Sequence, residues 1–561
     1  MKNIFLLIIF LTSVALSAQV TNEATPRGWS VLEKSDVAPI VLRAPDVKQL
    51  KSEDLASQND LRKSLRVGSE INVSMNLFNS GTWKNLSNGD RIWMLNVKAE
   101  NAKFLRAIFD LYSLPEGAEL YLYNNQRTDK IGPYTSSENQ EDGVLGSWMI
   151  SGDHLWLEYY EPAAVKGQGR LSLSSITYGY VDVNADKDSI AKINESGACN
   201  VDVLCDPNVG NTGQKDWSNA RDNYKNSVAR ILISTSQGSF LCTGSMINNA
   251  AQDTTPFFLT ANHCLGSVND GAGSSFNASG WSFGFQWFTT TPDCATFAGT
   301  QGPQNPTRVL SGAQLRANND DSDFALFLIN QTPPADWNIY YAGWNRSTVP
   351  STAQFGIHHP SGDIMKIARN DQTCTSAITS FNGNPAAQMW RIENWDYGVT
   401  EGGSSGSFIL DQNERIVGQL AGGAAACSGT SDNGQFDIYG KFDISWNSGF
   451  NASQRLRDWL DPSNSGVVTL DGAYYTTLGT EDVPAIELNI KIYPNPSGGV
   501  YTLESDLSAS YQVFNLNGQM ILSGATGISG NQLNISDAAA GLYFVKISVG
   551  EQTITRKLVK Q

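Results

Sequence analysis

The chemistry open to this chain of 561 residues is set by four histidines, His154, His263, His358 and His359, and by one serine-bearing glycine turn, "TEGGSSGS" at 400–407. A serine hydroxyl is a weak nucleophile. It acts only beside a histidine base that a carboxylate orients, with N–H donors to take up the charge of an oxyanion. By composition "GGSSGS" is a flexible spacer. Its neighbours, "WDYGV" before and "IVGQLAGG" after, are strand-like, and such runs flank a tight turn rather than a loose one.

Chain order tests the serine. "GGSSG" at 402–406 also fits G-x-S-x-G, with Ser404 as nucleophile, but that elbow takes its histidine from after the serine. Every histidine here precedes residue 405. The order that fits is His, Asp, Ser. His263 closes the run "FFLTANHC", and Asp323 directly precedes "FALFLI", an apolar strand whose mouth can hold a carboxylate against the Nδ1 proton of His263. Asp320 and Asp321 read as solvated loop charges. His263 is thus the candidate base, Asp323 its orienting carboxylate and Ser405 the nucleophile. Gly403 and Gly406 allow the turn to aim the amides of Gly403 and Ser405 at a substrate carbonyl, an oxyanion hole worth on the order of 3 kcal/mol per donor. A Cys242–Cys264 bridge would staple the loop that carries His263. His358 and His359 are adjacent, point to opposite faces of a strand and read as structural; His154 reads as a surface residue.

The elements that must position these residues follow from length and pattern. The chain is too long for one core and expects several domains. "MKNIFLLIIFLTSVALSAQ" reads as a secretory signal peptide over 1–18, ending at Ala18. No later run is long and apolar enough for a spanning helix. A formal net charge of -16 excludes a general nucleic-acid or anionic-membrane binder, which needs a basic face. The seven cysteines, Cys199, Cys205, Cys242, Cys264, Cys294, Cys374 and Cys427, lie in one segment, which in an exported chain points to disulfides in one domain. None is spaced C-x2-C, so neither a metal nor another cofactor is expected.

Residues 19–192 alternate bulky apolar and polar residues, as in "RIWMLNVKAE" and "HLWLEYYEP", and expect a β-sandwich. "DVNADKDSIAKINESG" at 182–197 reads as a cleavable linker. Residues 193–473 expect an antiparallel β-barrel domain of short strands, with one helix, "ASQRLRDWLDP", carrying Leu456, Trp459 and Leu460 on one face. After a polar linker at 474–485, residues 486–561 expect a small β-sandwich with Pro-Asn and Asn-Gly turns.

In this setting "GACNVDVLC", "LTANHC", "SDFALF", "GIHHPSGD", "GVTEGGSSGS", "VGQLAGG" and "RLRDWLDP" resemble, in collinear order over 197–473, the bacterial lysyl endopeptidases of the chymotrypsin-like serine protease clan. The resemblance implies a mainly β protein with a chymotrypsin-like double antiparallel β-barrel, flanked by a β-rich propeptide and the small C-terminal sandwich. It implies His263, Asp323 and Ser405 as the triad and bridges Cys199–Cys427, Cys205–Cys294 and Cys242–Cys264, leaving Cys374 a buried thiol. It places the carboxylate that selects a cationic P1 side chain on Asp437, with Ala421, Gly422 and Gly423 along the pocket wall, whereas Asp432 reads as a solvated turn residue. Strict lysine enzymes carry a histidine at the place of Ala421 and a tryptophan near Phe381 or Asn382, so arginine is expected to enter as well. The end segment, with "KIYPNPSGGVYTL", "VFNLNGQ", "GLYFVKI" and "KLVKQ", resembles the type IX secretion sorting domain, which implies outer-membrane secretion machinery as a partner and a secreted or surface-attached product. The expectation is a monomeric zymogen acting on protein substrates with a basic P1 residue; the rival is an inactive binding protein or adhesin on the same scaffold.

Overall fold

The computed structural model describes residues 24–30, 37–56, 61, 62, 64–181, 196–211, 215–266, 271–273, 276–292, 294, 306, 308–475, 491–504, 509–515, 519–526, 531–549 and 552–561. The expected signal peptide, the bond after Lys192 and most of both linkers lie outside them. The chain divides into two compact units, Met1–Thr476 and Thr477–Gln561.

In the N-terminal region, Arg91–Ala99 and His154–Glu161 pair antiparallel within one sheet. β1 (Leu65–Asn76), Phe104–Ser113 and Arg170–Gly179 belong to a second. Side chains alternate across a strand, so each sheet turns one apolar face inward. Trp93, Leu95, Phe104, Phe109, Trp148 and Leu157 fill the core between them, each contributing roughly 1.5–3 kcal/mol by burial. His154 is half-buried, its Nδ1 3.0 Å from Asn96 Oδ1, rather than a free surface residue.

The next segment folds as two lobes. In the first, β2 (Val228–Thr235), β3 (Gly238–Met246), β4 (Phe257–Ala261) and β5 (Phe324–Ile329) pair in that order, all antiparallel. Phe258, Trp281, Phe283, Phe285 and Phe327 make their core. In the second, β6 (Gln354–His358), β7 (Phe408–Leu410), β8 (Ile416–Gly423) and β9 (Asp437–Lys441) are successive neighbours in a ten-stranded sheet, around Trp390, Trp395, Ile409, Leu420 and Tyr439. A third cluster, with Trp217, Tyr224, Trp344, Phe355, Phe408 and Phe442, contains residues of both lobes. Among the described residues the ladders curl round each core without closing a full ring: Arg308–Ser311 and Ala313–Asn319 are joined through Gly312 and not by pairing. β1 pairs with β3, with Leu65 opposite Leu241 and Gly68 opposite Ser239, so the N-terminal region extends the first lobe's sheet.

The expected terminal helix is not continuous. Asn451 caps a 3-10 turn, Ala452–Gln454; Arg455 is extended at φ -148, ψ 151, and only Arg457–Leu460 follows as α-helix. Three further helices, Val47–Ala56, Ser218–Tyr224 and Phe442–Asn447, were not expected. The last buries Phe442, Ser445 and Trp446 at helical spacing, but it is short and continues directly from β9, which hides its period.

The second unit has a three-stranded and a four-stranded sheet. Tyr501, Leu503, Val513, Leu533, Val545 and Leu558 form its core.

Candidate active site

β4 runs directly into the 3-10 turn Asn262–Leu265, which carries His263. Asp323 sits at the start of β5, which pairs with β4 so that Ala261 faces Phe324. The end of this ladder brings carboxylate and imidazole together. Asp323 Oδ1 accepts the His263 backbone N–H at 2.8 Å, and Oδ2 lies 2.7 Å from His263 Nδ1. The Asp323 carbonyl accepts Asn262 N–H at 2.8 Å. This grip holds Asp323 at φ 54, a left-handed conformation that aspartate visits more readily than most residues. Both side chains are fully buried. Burial pushes the Asp323 carboxyl above its ordinary range, opposed by the attraction and hydrogen bonds of His263. On the other side of the ring, His263 Nε2 lies 2.7 Å from Ser405 Oγ. Phe381 stands edge-on to the imidazole, 5.8 Å between ring centres.

Asp320 and Asp321 are not solvated charges. Asp320 Oδ1 accepts from Asn262 and Asn382, and Asp321 carboxylate oxygens accept from Asn384 and Ser448. Their amide and hydroxyl partners come from three separate loops, which the local sequence does not reveal.

The nucleophile turn is fixed at every carbonyl. Ser361 N–H donates to Gly402 O at 2.5 Å, Thr243 Oγ1–H to Gly403 O at 2.9 Å, Ser407 N–H to Ser404 O at 3.0 Å and Thr243 N–H to Ser405 O at 2.8 Å. The amides of Ser404 and Gly406 donate to Glu401 O and Leu420 O. Among the described residues those of Gly403 and Ser405 have no acceptor. Two glycines make this possible. Gly403 has φ 93 and its Cβ would lie 2.8 Å from His359 O; Gly406 has φ 82 and its Cβ would lie 2.1 Å from Thr260 Oγ1. Of the two serines, Ser405 meets His263. Ser404 turns its buried hydroxyl to His358 Nδ1, at 2.9 Å, and accepts Glu401 N–H at 3.2 Å. Thr243 was not singled out from the sequence; its one signal is its place directly after Cys242.

The two adjacent histidines take different surroundings. His359 stacks on Trp287 with 5.9 Å between ring centres and donates Nδ1–H to Asp363 O at 2.8 Å. Burial, then the nearby Arg230 cation, hold its pKa down at about 3.

Asp437 opens β9 and is fully buried. Its Oδ2 accepts Trp395 Nε1–H at 2.8 Å and Thr400 Oγ1–H at 2.5 Å. Gly423 pairs with it across the sheet, and a Cβ there would stand 2.2 Å from Asp437 Oδ1. Ala421 packs in an apolar cluster with Phe381, Ala387, Met389 and Ile438. Trp395 and Thr400, in "WDYGVT", escaped the sequence reading although they lie just before the serine turn. Asp432 is half-buried and accepts Trp395 and Gly434 N–H, and burial raises its carboxyl, so it is not the solvated aspartate expected.

The structure carries the bridges Cys199–Cys427, Cys205–Cys294 and Cys242–Cys264, the last tying β3 to the turn of His263. Cys374 is a buried free thiol beside Ser351 Oγ, its pKa raised by burial. Among the described residues no His, Cys, Asp and Glu cluster could hold a metal ion, and no helix is long and apolar enough to cross a membrane.

The family model described as lysyl endopeptidase, C-terminal domain, matches residues 193–440, and that of the lysyl endopeptidase N-terminal domain matches 41–178, together more than half of the chain. The chain belongs to the lysyl endopeptidase family. It is a serine endopeptidase with a mainly β, chymotrypsin-like fold. A secretion system C-terminal sorting domain matches 491–561, and the enzyme is accordingly secreted or held at the cell surface. The lysyl endopeptidase of Pseudomonas aeruginosa is 27% identical over 357 residues, which cover 62% of this chain and 71% of that protein. Among solved structures, the active form of the Rv3671c protease from M. tuberculosis is 14% identical at a TM-score of 0.27, covering 48% of this chain and 97% of that one. The protease Anisep from Arthrobacter nicotinovorans is 15% identical at 0.26, covering 39% and 91%.

His359 gives the fold a pH dependence. Its ordinary pKa of 6.5 falls to about 3 in the folded chain, so the unfolded state binds the extra proton between those values. Stability from this group is present above pH 6.5 and lost as pH falls towards 3, by about 1.4 kcal/mol per unit. Urea unfolding from pH 7 to 4 should therefore show a shallower decline for His359→Gln than for the parent. Equal slopes would exclude this role.

Proposed function

We propose that this enzyme hydrolyses peptide bonds after lysine, and also after arginine, through His263, Asp323 and Ser405. The observation that carries the reading is the pair of 2.7 Å contacts that connect Asp323, His263 and Ser405 in one line. His263 Nε2 takes the Ser405 proton as Oγ attacks the carbonyl carbon, then returns it to the leaving amine. Asp323 holds the ring with Nδ1 protonated and steadies the imidazolium that forms. The amides of Gly403 and Ser405 donate to the oxyanion. Water repeats the cycle on the acyl-enzyme.

Cation selection is assigned to Asp437, lined by Ala421 and Gly422. A long cationic side chain sheds water to enter a narrow pocket, and a buried carboxylate offsets that cost. With alanine at 421 the wall is open enough for the larger, more weakly hydrated guanidinium. Residues 19–192 are read as a propeptide and 193–473 as the mature enzyme, with self-cleavage after Lys192. Residues 474–485 are the linker and 486–561 the sorting domain that engages the outer-membrane machinery.

Ser405→Ala should lower kcat by on the order of 10^6-fold and Asp323→Asn by about 10^4-fold, each with KM nearly unchanged, in assays on a lysyl peptide. Ser404→Ala, which only removes support for the turn, should retain most activity. Near-parental activity in Ser405→Ala would overturn the assignment.

Asp437→Asn should lower the ratio of kcat/KM on lysyl over leucyl peptides by about 100-fold or more. Ala421→His should raise the lysine-to-arginine ratio. A parent enzyme that prefers leucine, or an unchanged ratio in Asp437→Asn, would remove Asp437 from the pocket.

A further inference from the structure

We propose that residues 61–65 of the N-terminal region occupy the substrate groove in the register of a substrate strand, and that this intramolecular occupant keeps the uncut chain silent. The inference rests on the triad and Asp437 pocket proposed above and names their first ligand.

The register is given on both sides of the nucleophile. On the second lobe, Gly423 N–H donates to Leu61 O at 2.8 Å, and Arg62 forms an antiparallel bridge with Gly422. These two glycines end β8 beside Asp437. The approach is close, since a Cβ on Gly422 would stand 1.9 Å from Leu61 O. Leu61 packs on the cluster of Phe381, Ala421 and Ile438. On the first lobe, Leu65 opens β1 opposite Leu241, the residue before Cys242. Its Cβ lies 3.9 Å from where a Cβ of Gly402 would be. The chain therefore leaves one lobe at Arg62 and reaches the other at Leu65.

Only residues 63 and 64 make that crossing, a span of roughly 3.3–3.6 Å each. The Ser405 turn lies on the same path. Thr243, two residues beyond Leu241, holds the carbonyls of Gly403 and Ser405. Counting along the strand sets the bond between residues 63 and 64 at the nucleophile. Position 63 is a lysine by sequence, the residue type the Asp437 pocket would select.

The segment is anchored at both ends. Arg66 Nε–H donates to Asp54 Oδ1 at 2.7 Å and its Nη2 to Leu50 O at 2.8 Å. Arg62 Nη1 reaches Asn382 Oδ1 at 3.4 Å. Strand addition of this kind takes affinity from main-chain hydrogen bonds and specificity from side-chain pockets. A tether makes the strand's effective concentration about millimolar, well above that of most free peptides. The Ser405 turn is also already formed in the uncut chain, with neutral Ser404 tied to His358. Activation then needs the occupant removed rather than the turn rebuilt.

The test uses full-length chains carrying Ser405→Ala, so that nothing is cut, and measures binding of a fluorescent lysyl peptide by anisotropy. Leu61→Asp and Lys63→Glu, each added to Ser405→Ala, should bind the peptide at least about tenfold more tightly than Ser405→Ala alone. Equal affinity in all three, with circular dichroism unchanged, would overturn the proposal. Mature wild-type enzyme is run on the same peptide. If it fails to cut and no chain binds, the pocket reading itself is wrong, and this inference falls with it.

Discussion

The nucleophile turn is the constraint on which the rest depends. A trans peptide unit is planar, with its N–H directed opposite to its C=O. Ser361 and Ser407 pull the carbonyls of Gly402 and Ser404 to one side, so the amides of Gly403 and Ser405 are turned to the other. Thr243 does the complementary task for the carbonyls of Gly403 and Ser405 from a strand of the first lobe. One residue therefore couples the lobe that carries His263 to the lobe that carries Ser405. A 2.7 Å contact between side chains of different lobes requires such a coupling, because catalytic geometry tolerates errors of only about half an ångström.

Charge is handled in the same economical manner. The two buried carboxylates of the site each face donors rather than water. Asp323 faces the backbone and ring of one histidine, and Asp437 faces an indole and a hydroxyl. A buried ion is stable only with such partners. The difference between them is function: the first group orients a base, whereas the second is set beside a glycine that leaves room for an incoming cation. His358 and His359 are kept out of this chemistry by partners of their own, Ser404 and Asp363.

Much of this was legible in the sequence. Scarcity of histidine and the order His, Asp, Ser pointed to three residues that the fold brings into hydrogen-bond contact, and the alternation in 91–162 announced strands. What escaped has a common cause. Thr243, Trp395, Thr400 and the partners of Asp320 act through contacts between segments far apart in the chain, and nothing local marks them. The helix Phe442–Asn447 is too short for its period to stand out, and Arg455 breaks the terminal helix because its extended backbone follows a side-chain cap. The pairing of Leu61 and Arg62 with β8 lies in a charged stretch whose sequence gives no strand signal.

The most direct test of the central claim is where an activated phosphorus reagent attaches. A diphenyl phosphonate with a lysine-like side chain reacts only with a serine that a base has activated. Mature enzyme inactivated by it, digested and mapped by mass spectrometry, should carry a single adduct on Ser405, and Asp323→Asn should slow labelling by several orders of magnitude. An adduct on Ser404, or labelling that proceeds at the same rate in Asp323→Asn, would contradict the assignment.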